Sequence, residues 1–308
     1  MRRAEFVLRW MRDIGARPYA RRAATAASAL GMLGLLLYMV GTSLDVLAGA
    51  QWHVIPGRLV IALGVLSVPP LMAAFVWGDI VLALGGTGSR GRHARAHAQS
   101  LLARRLPGGL WHLAGRAAFY GADAGGVRIA MTASALEAGG ILIVGVIILL
   151  AVLPGSEIWG PLIGVVAASI SLAVAPRAAR IVRARVPLPR PRVALWLLCG
   201  ALSWSAGCSG VYLLYGALYP LPEDSFLPLS VAVLASVLIG GLAWVLPGGL
   251  GLRELGLTAL MASFIPPPIG IALAIAFRII TTTLDLLWAF VILRLTAARV
   301  TAGGGSGQ

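Results

Sequence analysis

Seven stretches of this chain stay apolar for 20 residues or longer: 24–48, 57–84, 127–153, 160–179, 193–219, 227–246 and 268–296. A helix needs about 20 residues to cross a ~30 Å hydrocarbon core, and backbone inside lipid must satisfy its own hydrogen bonds. Runs of this length dictate an all-α, polytopic helical membrane protein; a barrel would show short alternating segments instead. A shorter apolar stretch at 250–265 makes the expected count seven or eight transmembrane helices. Charged residues are 12% of the 308, against about 25% in a soluble domain, so no soluble catalytic domain is expected and the protein reads as a non-enzyme. The first 23 residues are too charged, and the apolar run after them too long, for a cleaved signal peptide, so 24–48 reads as a retained span.

All 25 Lys and Arg positions are Arg, and the formal net charge is +14. Without Lys there is no P-loop lysine and no Schiff-base lysine, which excludes a Walker-type ATPase and a pyridoxal-phosphate site within this chain; no cofactor is expected. The Arg residues also orient the spans. Seven lie in 1–23, five in 85–105 and six in 176–192, whereas "GAQWHVIPGR" holds only Arg58 and the loops "PGSEIWGP" and "PLPEDSFLP" hold none. By the positive-inside rule the amino terminus and the basic loops are cytoplasmic, as expected for a multi-pass protein of the cell membrane. Arg294 and Arg299 favour a cytoplasmic carboxyl end, which requires 250–265 to cross. Within 1–22, Phe6, Trp10 and Ile14 recur every four residues, as in an interfacial helix, although a basic topology signal alone explains the segment as well. The tail 300–308 reads as a flexible terminus.

The pentapeptide LPGGL occurs twice, at 106–110 and 246–250, each time after a long span. Pro removes a backbone donor, and two Gly admit angles closed to other residues, so Pro107, Gly108, Gly109 and Pro247, Gly248, Gly249 read as hinges that end one helix and turn into another. Non-helical backbone at membrane depth persists only where protein buries it or water reaches it, so each copy marks a broken or re-entrant segment lining a cavity. Similar surroundings of the two copies suggest an internal repeat, with halves at 24–153 and 193–296 inside one transmembrane domain at 24–299.

Ionisable residues deep in a span cost about 2.5–3.5 kcal/mol each on insertion scales, so each asks for a partner or a polar path. Glu137 and Arg278 are each eleventh in their span and opposite in charge, which makes them candidate partners. Such a pair serves either to fix packing or as a contact that a phosphate or a proton can replace. Arg278, Thr281, Thr282 and Asp285 share one helical face. Ser205, Cys208, Tyr212, Tyr215 and Tyr219 share another, which suits a groove wall and equally suits ordinary packing. Arg253 and Glu254 follow the second hinge and Arg116 the first, where helix amino termini attract anions and the Arg fork fits phosphate; Arg253 pairing with a neighbour such as Glu254 is the plainer reading. Asp45 and Asp79 lie near enough to span ends to be hydrated. His93 and His97 have a metal-like spacing of four but no third ligand nearby, so no metal site is expected. Cys199 and Cys208, nine residues apart on one helix and so about 13 Å along its axis, read as packing residues. Membrane topology already accounts for the basic loops without nucleic acid.

"LPGGLGLRELGL" with "AFRIITTTLD", and "RRLPGGLWHLAGRAAFYGADAGGVRIAMTASALEAGG", resemble the transmembrane region of lysylphosphatidylglycerol synthase and the flippase-like membrane proteins built from that region alone. The resemblance covers about 24–296 and rests on the two Pro-Gly turns, "GR" at 115–116, Glu137, "RE" at 253–254 and Arg278, in order. It implies movement of lipids between leaflets. The soluble synthase domain has no counterpart in these residues, so aminoacyl transfer is not carried over. The expected substrate is a membrane lipid with an anionic or phosphate headgroup, either a phospholipid or a polyprenyl phosphate, bound by Arg116, Arg253 and Arg278 with Glu137 neutralising Arg278. Two other readings stay open: a non-transporting subunit that binds lipid-linked precursors or scaffolds a glycosyltransferase or synthase, and a transporter of ions or small solutes using Glu137 and Asp285.

Overall fold

A computed structural model describes residues 34, 38, 41–42, 44–104, 111–120, 126–153, 188–242 and 252–303. The two LPGGL turns, the 160–179 span, the amino-terminal 1–33 and the tail 304–308 lie outside the described residues. All regular structure among the described residues is helical. The elements are α1 (Leu44–Ala48), α2 (Pro56–Leu66), α3 (Val68–Ala83), α4 (Arg90–Arg104), α5 (Trp111–Phe119), α6 (Gly126–Val152), α7 (Arg190–Leu218), a 3-10 turn (Glu223–Ser225), α8 (Phe226–Leu242), α9 (Leu252–Met261) and α10 (Pro267–Gly303). Among the described residues, five stretches are long and apolar enough to cross a membrane: Pro56–Ala83, Gly126–Val152, Arg190–Leu218, Glu223–Gly240 and Pro267–Thr296. The chain is thus an all-helical protein with membrane-type spans.

Local chemistry sets the boundaries. Pro stands in the first turn of α2 and of α7, where its missing N–H is not needed. The 57–84 run divides at Ser67, just before Pro69 and Pro70, yet Ser67 Oγ donates to Leu63 O at 2.8 Å and keeps α2 and α3 in one span. After α3, Gly85 adopts a φ of 86°, its N–H bonds Leu82 O at 3.1 Å, and the Gly86 N–H bonds Val81 O at 2.9 Å. This is a Schellman stop, and it needs glycine at the left-handed position. It turns the chain back so that α4 packs against α3, α5 and α10.

The helix α7 sits centrally, against α2, α3, α6 and α8. Lipid tails are as apolar as Leu, so spans associate through close packing rather than burial alone. Small residues supply it here. A Cβ on Gly145 of α6 would lie 2.6 Å from Trp204 Cζ2, and one on Gly210 of α7 would lie 2.7 Å from Leu66 Cδ2. Large apolar side chains such as Leu198, Ile279 and Phe290 remain exposed, as faces turned toward lipid would. Cys199 and Cys208 are buried free thiols.

Candidate functional site

The first polar centre is built where α4, α5 and α6 meet. Arg116 of α5 is 5% exposed. Its Nε donates to Ser100 Oγ at 3.1 Å and its Nη1 to Ser134 Oγ at 3.4 Å and to Glu137 Oε2. Its Nη2 lies 2.9 Å from His97 Nδ1, and the guanidinium stacks 3.8 Å from the Trp77 ring centroid. Every guanidinium nitrogen is therefore engaged. A guanidinium stays protonated and only donates, so His97 Nδ1 must accept and the ring is neutral with its proton on Nε2. Glu137 Oε1 is 3.8 Å from the same Nδ1, so Arg116 and His97 both face one carboxylate.

Beside it lies a second buried group. Trp77 Nε1 donates to the Tyr120 hydroxyl at 3.2 Å, and that hydroxyl is 2.9 Å from His93 Nδ1. Since Trp only donates, Tyr120 receives its bond and donates to His93. Burial pushes the His93 imidazole below its ordinary value, and the Arg92 charge adds to the effect. Burial likewise pushes the Tyr120 hydroxyl up, against opposing effects from Trp77, Arg116 and Arg92. Both groups stay neutral at pH 7. Asp79 is 4% exposed, buried although its place near a span end predicts a surface position. It accepts from Trp196 Nε1 at 2.9 Å and pairs with Arg90 at 3.5 Å, which ties α3 to α7 and α4.

The other polar centre joins α9 to α10. Glu254 is 7% exposed, and its Oε1 accepts from Arg278 Nη1 at 2.7 Å. The Arg278 side chain is 31% exposed. Arg253 stacks 5.1 Å from the Phe277 ring centroid, against Gly240. Thr281 donates to Phe277 O within its own helix at 2.9 Å. Thr282 and Asp285 are half-buried on the same face.

Equal depth and opposite charge suggest Glu137 and Arg278 as partners, but the structure pairs neither with the other. Glu137 is bound to the short helix α5 and Arg278 to the short helix α9. Glu254 forms its ion pair with Arg278, one element further along the chain. The tyrosine stripe divides: Tyr215 is fully buried in the core, Ser205 lines a small cavity, and Tyr212 lies beneath Arg58. Residues absent from the sequence-derived site are Trp77, Ser100, Tyr120, Ser134 and, as a partner of Arg116, His97. The six hinge residues lie outside the described residues. Among the described residues no group of three or more His, Cys, Asp or Glu is placed to hold a metal. Compared with known proteins, the chain matches no protein-family model and no curated protein.

Proposed function

We propose that the protein is a lipid translocator, whose two halves let the phosphate of an anionic lipid cross while the acyl chains stay in the bilayer. Its chemical task is to lower the desolvation cost of a charged headgroup, which is prohibitive in bare hydrocarbon. The observation that carries this reading is the Glu254–Arg278 pair: a 2.7 Å ion pair in the middle of a membrane-type span, with the Arg278 side chain about one third exposed. A phosphate that reaches Arg278 can replace the carboxylate without first exposing a bare cation. The Arg116 centre is closed on all sides and serves as its counterpart in the other half. In each half a short helix offers one charge to the long span that follows, and the signs are exchanged between halves. This supports an internal repeat with eight crossings in all, 250–265 counted as one. The resemblance to flippase-like proteins of the lysylphosphatidylglycerol synthase type points the same way.

The test is movement of a fluorescent phosphatidylglycerol between leaflets of liposomes that contain the purified protein. Arg278→Ala should slow movement at least about tenfold, the loss expected when a charge-assisted bond to phosphate is removed. Because it also leaves the buried Glu254 without its cation, the same loss in Glu254→Gln/Arg278→Gln, which melts close to wild type, separates transport from folding. If wild-type protein moves no lipid under any imposed ion gradient, the translocator reading fails and the scaffold reading takes its place. Solute flux without lipid movement would favour the transporter of ions or small solutes.

A further inference from the structure

At the far end of the Pro56–Ala83 span from α4 lies a cation that the two polar centres do not use. Arg58 stands in the first turn of α2, in a loop side that otherwise carries no Arg. Its guanidinium lies against Gly216 of α7, where a Cβ would come within 2.5 Å of Cζ and Nη2. It also stacks 5.3 Å from the Tyr212 ring centroid. Arg58 Nε is fully enclosed with no hydrogen-bond partner among the described residues, and none of their carboxylates pairs with the guanidinium.

A plain explanation would make Arg58 the cap for the carboxyl end of α7, since basic side chains bond the last carbonyls of helices. Those carbonyls are already taken. His53 N–H bonds Leu218 O at 3.1 Å, Ile55 N–H bonds Ala217 O at 3.0 Å, and the His53 ring lies 3.3 Å from Gly216 O. The helix dipole offsets the positive charge only in part. Only the Nε of this half-buried side chain is enclosed without an acceptor; an oxyanion on the remaining donors would compensate the charge, and the planar fork suits the oxygens of phosphate. The surroundings indicate what carries that phosphate. Trp52 and Tyr219 stack edge to face at 5.8 Å beside the site, as aromatic residues do at headgroup level. The Tyr212 ring packs on Phe226 at 5.3 Å, and Phe226 borders a cavity of about 140 Å³ whose wall includes Ile148, Val152, Ser209 and Leu234.

We propose that Arg58, held in the Gly216 notch over Tyr212, seats the phosphate of a lipid headgroup, with the start of an acyl chain in the cavity beside Phe226. The inference deepens the translocator reading by giving the lipid a seat at the opposite face from the Arg116 cluster, but binding there is measured without transport. Full-length protein in detergent is titrated with dilauroyl phosphatidic acid, and retained lipid is counted by native mass spectrometry. Dilauroylglycerol serves as the headgroup-free control and inorganic phosphate as competitor. Arg58→Gln should remove one bound phosphatidic acid and weaken binding at that site about tenfold or more. Gly216→Ala should do the same although every charge is kept, because the new methyl displaces the guanidinium. Arg58→Lys, which keeps the charge and loses the fork, should fall between.

Retention unchanged in all three variants would overturn the proposal, as would dilauroylglycerol held as tightly as phosphatidic acid. Competition by inorganic phosphate alone would identify free phosphate as the occupant of the seat, and failure to compete would identify the lipid; both outcomes keep the phosphate chemistry. Wild-type binding without lipid movement in liposomes would remove the translocator reading and leave this seat standing. Lipid movement with unaltered binding in the variants would do the reverse.

Discussion

At the scale of single residues, Arg116 and Arg278 have the same chemistry and opposite situations. Arg116 spends four of its five N–H donors on Ser100, Ser134, Glu137 and His97, so removing it leaves a carboxylate and two hydroxyls facing an uncharged hole. Breaking a buried pair from one side typically costs about 3–5 kcal/mol, whereas replacing both partners with neutral groups of similar shape is often close to neutral. Arg116→Gln should therefore lower the melting temperature of the purified protein sharply. Glu137→Gln added to it should restore most of the loss. If the double variant melts no higher than Arg116→Gln, the pair is not what stabilises the α4, α5 and α6 junction. Lipid movement measured on the same folded double variant separates packing from transport: full activity would make this centre purely structural.

At the scale of elements, close helix approach is written into the glycines, with opposite consequences along one helix. A Cβ on Gly145 would meet Trp204 Cζ2 at 2.6 Å and Leu238 Cδ2 at 3.1 Å, and the indole cannot easily withdraw because its N–H holds Ile141 O at 2.9 Å. A Cβ on Gly139 of the same helix would meet nothing within 4 Å. Overpacking costs roughly 1–3 kcal/mol, while Gly→Ala in a helix interior gains up to about 1 kcal/mol. Gly145→Ala should thus lower, and Gly139→Ala raise, the thermal stability of the protein in detergent; the same sign for both would refute the packing of α6 on α7 and α8. The spans themselves were legible in the sequence because apolar runs of that length admit few other structures. The helix α4 was not. The five Arg residues of 85–105 suggest a solvated loop, yet His93, Ala96, His97, Ser100 and Leu101 follow the i, i+3, i+4, i+7, i+8 pattern of a buried face, and all five are buried. The pairing of Glu137 with Arg278 failed for another physical reason. Depth along a span fixes height and says nothing about which neighbour a helix face meets, and the short helices α5 and α9 supply the partners instead. The Ser205 to Tyr219 stripe is about 80° wide at 100° per residue, enough for Tyr215 to enter the core while Ser205 stays at the surface.

At the scale of the molecule, contacts between distant elements decide where the carboxyl end lies. Ala98 and Leu101 of α4 pack with Ala289, Ile292 and Leu293 of α10, and Thr296 Cγ2 is 3.6 Å from where a Gly91 Cβ would stand. The last third of α10 therefore lies on the α4 side of the bundle, and Val54 and Arg58 lie at the other end of the Pro56–Ala83 span. The basic 85–105 segment assigns the α4 side to the cytoplasm, so the carboxyl terminus should be cytoplasmic as well, together with Arg294. The positive-inside rule predicts the amino terminus on that side too, which would make the crossings even in number. Seven long apolar runs are odd, so on this prediction 250–265, which contains the ten-residue α9, returns the chain across the bilayer before α10 begins. In a Cys199→Ala/Cys208→Ala background, single cysteines at Ser89 and Val54 and a peptide tag on the carboxyl end would be probed with impermeant reagents in right-side-out and inverted vesicles. Ser89→Cys and the tag should react from the same face and Val54→Cys from the other. A tag that reacts together with Val54→Cys would make the crossings odd, and α9 would then enter and leave the membrane on one side.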